Sequence, residues 1–165
     1  MQTIEILDIK NFMQLLFQTQ TLDSYEFVSA HLSTDMTYDL DGRINSTFYS
    51  SEELESLQLT ECTYLPWSLA KEKLFLLIKG KKTPSQMKIV LKLSSIETEE
   101  LFNSSFSSLN SNDIHGVFLN IFFQENKLNV TCGISYKIFT LNKDLEDIFS
   151  DKIVTLFKSN NITCG

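Results

Sequence analysis

Proline and glycine are scarce, at two and five in 165 residues. That excludes collagen-like and Pro-rich low-complexity chains. Arginine occurs once and alanine twice, against 13 lysines and 11 asparagines. No apolar run approaches the roughly 20 residues that a membrane helix needs. The start, Met1-Gln2-Thr3-Ile4-Glu5, has neither a basic region nor an apolar core, so no secretory signal is expected. Cysteine is also sparse. Cys62, Cys132 and Cys164 are odd in number, separated by 70 and 32 positions, and form no C-x-x-C pair. A zinc ribbon and a thioredoxin motif are thereby excluded, and reduced thiols in a cytoplasm are expected. Cys164, next to the last residue, is expected to fray. The two histidines stand at no metal-ligand spacing from each other or from a cysteine. No metal and no cofactor are expected. Gly80-Lys81-Lys82-Thr83 lacks the first glycine of a phosphate-binding P-loop.

What is present is apolar bulk. Leucine, isoleucine, phenylalanine and valine make up one third of the chain, too much for a disordered protein. At this length one domain, 1–165, is expected, with a core of useful size. Charge is uneven. The net charge is −7, yet residues 1–70 carry 11 acids and 2 bases, 71–92 carry 7 bases and 1 acid, and 93–165 carry 9 acids and 5 bases. An acidic chain is repelled by duplex DNA and by anionic membranes. The basic segment from Lys71 to Lys92 is the exception.

Periodicity gives an element order of β-α-β-β-α-α-β-α-β-β-α. Residues 3–7 read as a strand. Asp8 then caps a helix whose Ile9, Phe12, Leu15 and Leu16 share a face. Residues 24–33 and 36–40 alternate as two hairpin strands, followed by a turn at Asp41-Gly42. Ser50 and Glu53 form a capping box, with Tyr49 and Leu54 at its staple positions, opening a helix over 51–58. Pro66-Trp67 leads into a helix ending near Lys79, with Gly80 at C′ and Pro84 beyond. Residues 85–93 switch to period two, with Met87, Ile89, Leu91 and Leu93 on the core side. Ser94 and Glu97 form a second capping box before a helix over 95–103, and 103–113 is a Ser/Asn-rich loop. Residues 117–123 are apolar on almost every position, as in a strand covered on both faces. Residues 128–138 alternate, with Gly133 marking a bulge or a close backbone approach. Asn142 caps a last helix whose stripe is Leu145, Ile148, Phe149, Ile153, Leu156 and Phe157. The expected fold class is α+β: a mostly antiparallel sheet packed against helices, with an amphipathic C-terminal helix.

Several stretches carry a resemblance. They are Asp41-Gly42-Arg43 with Phe48-Tyr49 and Glu53; Ile78-Lys79-Gly80-Lys81 with Thr83-Pro84; Gly116-Val117-Phe118-Leu119-Asn120-Ile121; and Thr131-Cys132-Gly133-Ile134-Ser135 with Phe139-Thr140-Leu141. Together they resemble an uncharacterised family of small proteins from clostridial-type Gram-positive bacteria, a domain of unknown function. The resemblance implies a fold and a lineage and no substrate. Where the family pattern reads Thr-Gly this chain has Cys132-Gly133, so the thiol is not part of the shared pattern.

No motif identifies an activity. A Cys132 pair with His31 or His115 would need a thiolate beside a base. Cys132 falls on the apolar phase of its strand, which points to a buried, inert thiol. Arg43, the single arginine, follows a strand and a glycine. It is either half of a structural salt bridge or a planar anion-binding fork. Lys79, Lys81 and Lys82 surround a helix C-terminus, where the dipole favours cations with or without a ligand. Lys88 and Lys92 lie on the wet phase of the next strand. The leading reading is a non-enzymatic binding or protein-interaction module. The alternative is an anion site, for a phosphorylated ligand, an acidic protein or a nucleic-acid backbone, built from Arg43, Lys79, Lys81, Lys82 and Lys88. The second alternative is an enzyme of unrecognised type. A flat exposed apolar patch would favour the first reading, and a deep pocket with converging polar groups the last.

Overall fold

A computed structural model describes residues 2–106 and 108–165; residue 107, within the Ser/Asn-rich loop, lies outside them. The chain runs β1 (Gln2–Ile6), α1 (Ile9–Gln18), β2 (Glu26–Ser33), β3 (Thr37–Asp41), α2 (Ser51–Ser56), β4 (Leu65–Pro66), α3 (Trp67–Ile78), β5 (Gln86–Lys92), α4 (Ser95–Asn103), β6 (Ile114–Gln124), β7 (Lys127–Tyr136) and α5 (Asp144–Ser159). The strands form one antiparallel sheet in the order β1-β7-β6-β5-β2-β3, with β4 paired to β2. The α+β expectation holds, including the C-terminal helix.

Register explains the core. Because side chains alternate across a strand, each row of cross-strand partners lies on one face. Ile4, Val130, Ile121, Ile89, Ala30 and Leu40 form one such row across six strands. Ile6, Leu128, Phe123, Met87, Leu32 and Tyr38 form the next. These rows share one hydrophobic cluster with the apolar stripes of α1, α3, α4 and α5: Phe12, Leu16, Trp67, Leu74, Leu101, Phe149 and Phe157 among them. The opposite face carries Glu5, Asn129, Phe122, Lys88, His31 and Asp39 in one row, all exposed or half-buried. β6 is therefore not covered on both faces. Val117, Leu119, Ile121 and Phe123 are buried, while Phe118, Asn120 and Phe122 are half-buried on the open side.

Local chemistry sets the element ends. Asp8 accepts from the Asn11 amide and starts α1. The Ser50–Glu53 capping box is formed in both directions. Ser94 caps α4 through the Glu97 amide, but Glu97 turns its carboxylate to the Ser24 hydroxyl, so only half of the second box exists. Asn142, the expected cap, accepts from the Asp144 amide but stands one position ahead of the N-cap place, which Lys143 takes. Pairing is unbroken through Gly133; the bulge falls on the neighbouring strand, between Ile114 and Gly116. The C-terminal tail does not fray. Leu7 donates to the Thr163 carbonyl, Gly165 to the Glu5 carbonyl, and Cys164 bridges Ile6. The tail thus covers part of the β1 edge, which would otherwise present unpaired backbone groups.

Candidate functional site

The site is built where β2 bends. Its register shifts between Phe27 and Ser29, so β2 hands over from β3 on one side of the bulge to β4 on the other. Residues 42–44 fill the gap. Gly42 donates to the Val28 carbonyl at 2.8 Å and accepts from the Leu65 amide at 2.9 Å. Ile44 donates to the Thr63 carbonyl, and Arg43 bridges Tyr64. Asp41-Gly42 is therefore no turn but a continuation of the sheet edge. Glycine is needed because a Cβ at 42 would lie 1.9 Å from the Phe27 carbonyl oxygen. This threading carries Arg43 to the rim between two concavities.

The first concavity lies on the helix side, a groove of about 520 Å³ between α3 and residues 40–49. Phe27, Leu40, Ile44, Leu65, Leu74 and Leu77 form its walls. Phe48 and Leu76 stand at its mouth, 75% and 59% exposed. A short 3₁₀ turn, Ser46–Phe48, holds Phe48 outward, where its ring meets Tyr49 edge-on at 5.3 Å. The polar groups at this rim are Asp41, Arg43, Asn45 and Lys73.

The second concavity, about 510 Å³, lies on the open face of the sheet and is polar. Ser29, His31, Asp39, Asp41, Arg43, Tyr64 and Lys88 line it. Cross-strand register places Asp39, His31 and Lys88 side by side. His31 Nδ1 lies 2.6 Å from Asp39 Oδ1, and Asp41 Oδ1 accepts from the Arg43 amide at 3.0 Å. Among the described residues neither Arg43 nor Lys88 has a carboxylate within ion-pair distance. Of the two readings of Arg43, the structural salt bridge is not formed.

The basic segment divides in the fold. Lys71 pairs with Asp23 at 2.6 Å, and Lys92 reaches Glu26 at 4.0 Å while lying over the Tyr64 ring. Burial holds the Glu26 carboxyl above the usual carboxylate range, with Lys92 opposing that shift. Lys79, Lys81 and Lys82 are exposed in the connection from α3 to β5 and line neither concavity. Of the five candidate anion-binding residues, Arg43 and Lys88 are brought together and these three stand apart. Gly80 follows the extended Lys79 with φ +155, which its missing Cβ permits.

Cys132 cannot meet His31. The thiol lies on the core face, fully buried, and His31 lies on the opposite face. Burial pushes the Cys132 thiol up to about 11, away from thiolate chemistry. The three cysteines are unpaired, and among the described residues no group of three His, Cys, Asp or Glu stands close enough to hold a metal. Among the described residues no helix is long and apolar enough to cross a membrane.

Lys73, Phe48, Leu76 and the His31–Asp39 pair are absent from the sequence-based site. The last was accessible in principle. A hairpin that pairs Ser33 with Thr37 necessarily pairs His31 with Asp39. The groove had no such signal, because α3 meets residues 40–49 only through tertiary packing.

A family model described as a family of unknown function (DUF5721) matches residues 14–164. The match spans both concavities and every motif that carried the resemblance. No curated protein matches the chain, and no solved structure does.

Proposed function

The chain belongs to this family of unknown function, and we propose for it a non-enzymatic binding role centred on the groove between α3 and residues 40–49. The occupant is a small apolar molecule carrying an anionic group. One observation carries the reading: the groove is walled by apolar side chains, two of them left largely exposed at its mouth. Leaving Phe48 and Leu76 in water forgoes a burial free energy of roughly 1.5–3 kcal/mol for each side chain. A bound apolar molecule recovers part of it. The volume falls in the range of small-molecule sites. Charge complementarity selects the sign. Among the described residues, Arg43 and Lys73 at the rim have no carboxylate within ion-pair distance, in a chain of net charge −7.

The test uses anilinonaphthalene sulfonate, an apolar fluorescent anion, with decanoate and decanol as competitors. Saturable binding is expected, with decanoate displacing the dye better than decanol. Leu76→Glu should weaken binding about tenfold or more by placing an anion at the mouth. The fold should survive, because Leu76 is exposed. Trp67, the only tryptophan, reports from beneath the groove, its ring 5.9 Å from that of Phe27. Unchanged dye affinity in Leu76→Glu and in Lys73→Glu would remove the groove as the site.

A further inference from the structure

We infer that the polar concavity on the open face of the sheet is a second binding site, for a phosphoryl group, with Arg43, Lys88 and His31 as its ligand-facing residues. It goes beyond the groove reading and lies on the other face of the same sheet edge.

The argument rests on which acceptors are already used. Two carboxylates line this concavity, Asp39 and Asp41. Asp39 holds the His31 ring through Nδ1, and Asp41 caps the Arg43 backbone amide. Neither carboxylate pairs with Arg43 or Lys88, whose charged groups carry no ion-pair partner among the described residues. On the same strand that carries Lys88, by contrast, Lys92 reaches Glu26. The concavity therefore has a surplus of donors. A guanidinium, an ammonium and the Ser29 and Tyr64 hydroxyls line it, and Asp39 leaves the Nε2 edge of His31 unengaged. Facing those donors are two carboxylates already engaged.

The geometry selects a compact oxyanion. The donors come from four separate segments: β2 gives Ser29 and, with both ring nitrogens protonated, His31; β5 gives Lys88, the 42–44 segment gives Arg43, and the residue before Leu65 gives Tyr64. A group that accepts from several directions at once satisfies such a ring, and a phosphate monoester presents three oxygens that do so. A carboxylate, with both oxygens in one plane, meets fewer of them. Arginine supplies a planar fork suited to phosphate, lysine a point charge, and a carboxylate-oriented imidazole a directed third contact. Duplex nucleic acid is opposed by the acids on the flanking surface, Glu26, Asp39 and Asp41, and by the chain's net charge.

The experiment is a proton NMR titration of the full chain with inorganic phosphate, then phenyl phosphate, at constant ionic strength set by chloride. The chain has two histidines, so two Hε1 signals, one per ring, report separately. His31 is expected to shift saturably, and the exposed His115 to stay put. Lys88→Gln and Arg43→Gln should each weaken phosphate binding about tenfold, the loss of one charge-assisted contact. Acetate at equal concentration should bind more weakly. Leu76→Glu should leave phosphate binding intact, and Lys88→Gln should leave dye binding in the groove intact, so either reading can fail alone. Lys81→Glu with Lys82→Glu is the remaining arm. Loss of phosphate binding there, with Lys88→Gln unaffected, would move the anion site to the α3–β5 connection and overturn this one. Equal, unsaturable shifts of both histidines would overturn it as well.

Discussion

Trp67 makes the sharpest stability prediction, because it is both a core anchor and a helix cap. The side chain is completely buried. Its ring packs on Phe17 at 5.6 Å and on Phe27 at 5.9 Å, and its Nε1–H donates to the Leu16 carbonyl at 2.9 Å. Leu16 sits in the last turn of α1, where carbonyls lack intrahelical partners. The neighbouring Leu15 carbonyl is met by the Thr19 hydroxyl at 2.6 Å, so Trp67 completes a cap that Thr19 begins. Trp67→Phe keeps an aromatic ring and removes the donor. A stranded buried carbonyl costs about 1–3 kcal/mol. Trp67→Ala adds the cavity, and aromatic truncations of this kind cost about 3–5 kcal/mol. Against a net stability of roughly 5–15 kcal/mol, the alanine variant should lose a large share of it. Urea denaturation followed by far-ultraviolet circular dichroism is the assay, since each variant removes the only tryptophan fluorophore. The expected order is wild type, then Phe, then Ala, with a clear gap at each step. A Phe variant within about 0.5 kcal/mol of wild type, the range of a neutral surface change, would refute the capping argument.

Two further outcomes follow from local geometry. Gly42→Ala should prevent folding or cost roughly 3 kcal/mol or more, because the new methyl would meet the Phe27 carbonyl oxygen at 1.9 Å and rigid backbone cannot yield; a melting temperature near wild type would show that residues 42–44 are not pinned. Glu26→Gln should raise the melting temperature at neutral pH. The folded-state pKa of Glu26 is raised by burial, so its protonated form favours folding, and that contribution is lost as pH rises through the raised value. The gap between variant and wild type should close below the usual carboxylate range, where both side chains are neutral; a Gln variant less stable at neutral pH would mean that the Lys92 contact outweighs the burial.

Most of the elements were legible because their signals are local. Period-two alternation identified β5 and β7, and the 3.6-residue stripe identified α5. The Ser50 capping box formed as read, since its two hydrogen bonds lie within four consecutive residues. The misreadings share a cause. Glu97 completes a capping box by spacing alone, but a tertiary partner, Ser24, takes its carboxylate. Asp41-Gly42 has the composition of a turn, yet the glycine serves a close passage past Phe27. The apolar run in β6 suggested two covered faces. Its outer Phe118 and Phe122 instead lie half-buried on an open sheet face, with Asn120 between them and Lys88 and Asn129 beside Phe122.

The candidate sites divide in the same way. Sequence alone singled out Arg43 by rarity and position, and it located the basic segment by charge counting. It also excluded zinc ribbons, P-loops and the thioredoxin motif, because those chemistries require fixed short spacings that the chain does not have. Which lysines share a site with Arg43 was decided only in three dimensions. Lys88 reaches it because β5 pairs with β2 beside the hairpin, whereas Lys79, Lys81 and Lys82 remain in the connection before that pairing begins. The apolar groove likewise exists only once α3 packs beside residues 40–49. Periodicity reports what each segment buries against its own neighbours along the chain. Cavities and charge clusters are made by segments far apart in sequence, and their positions follow from register and packing that no single segment encodes.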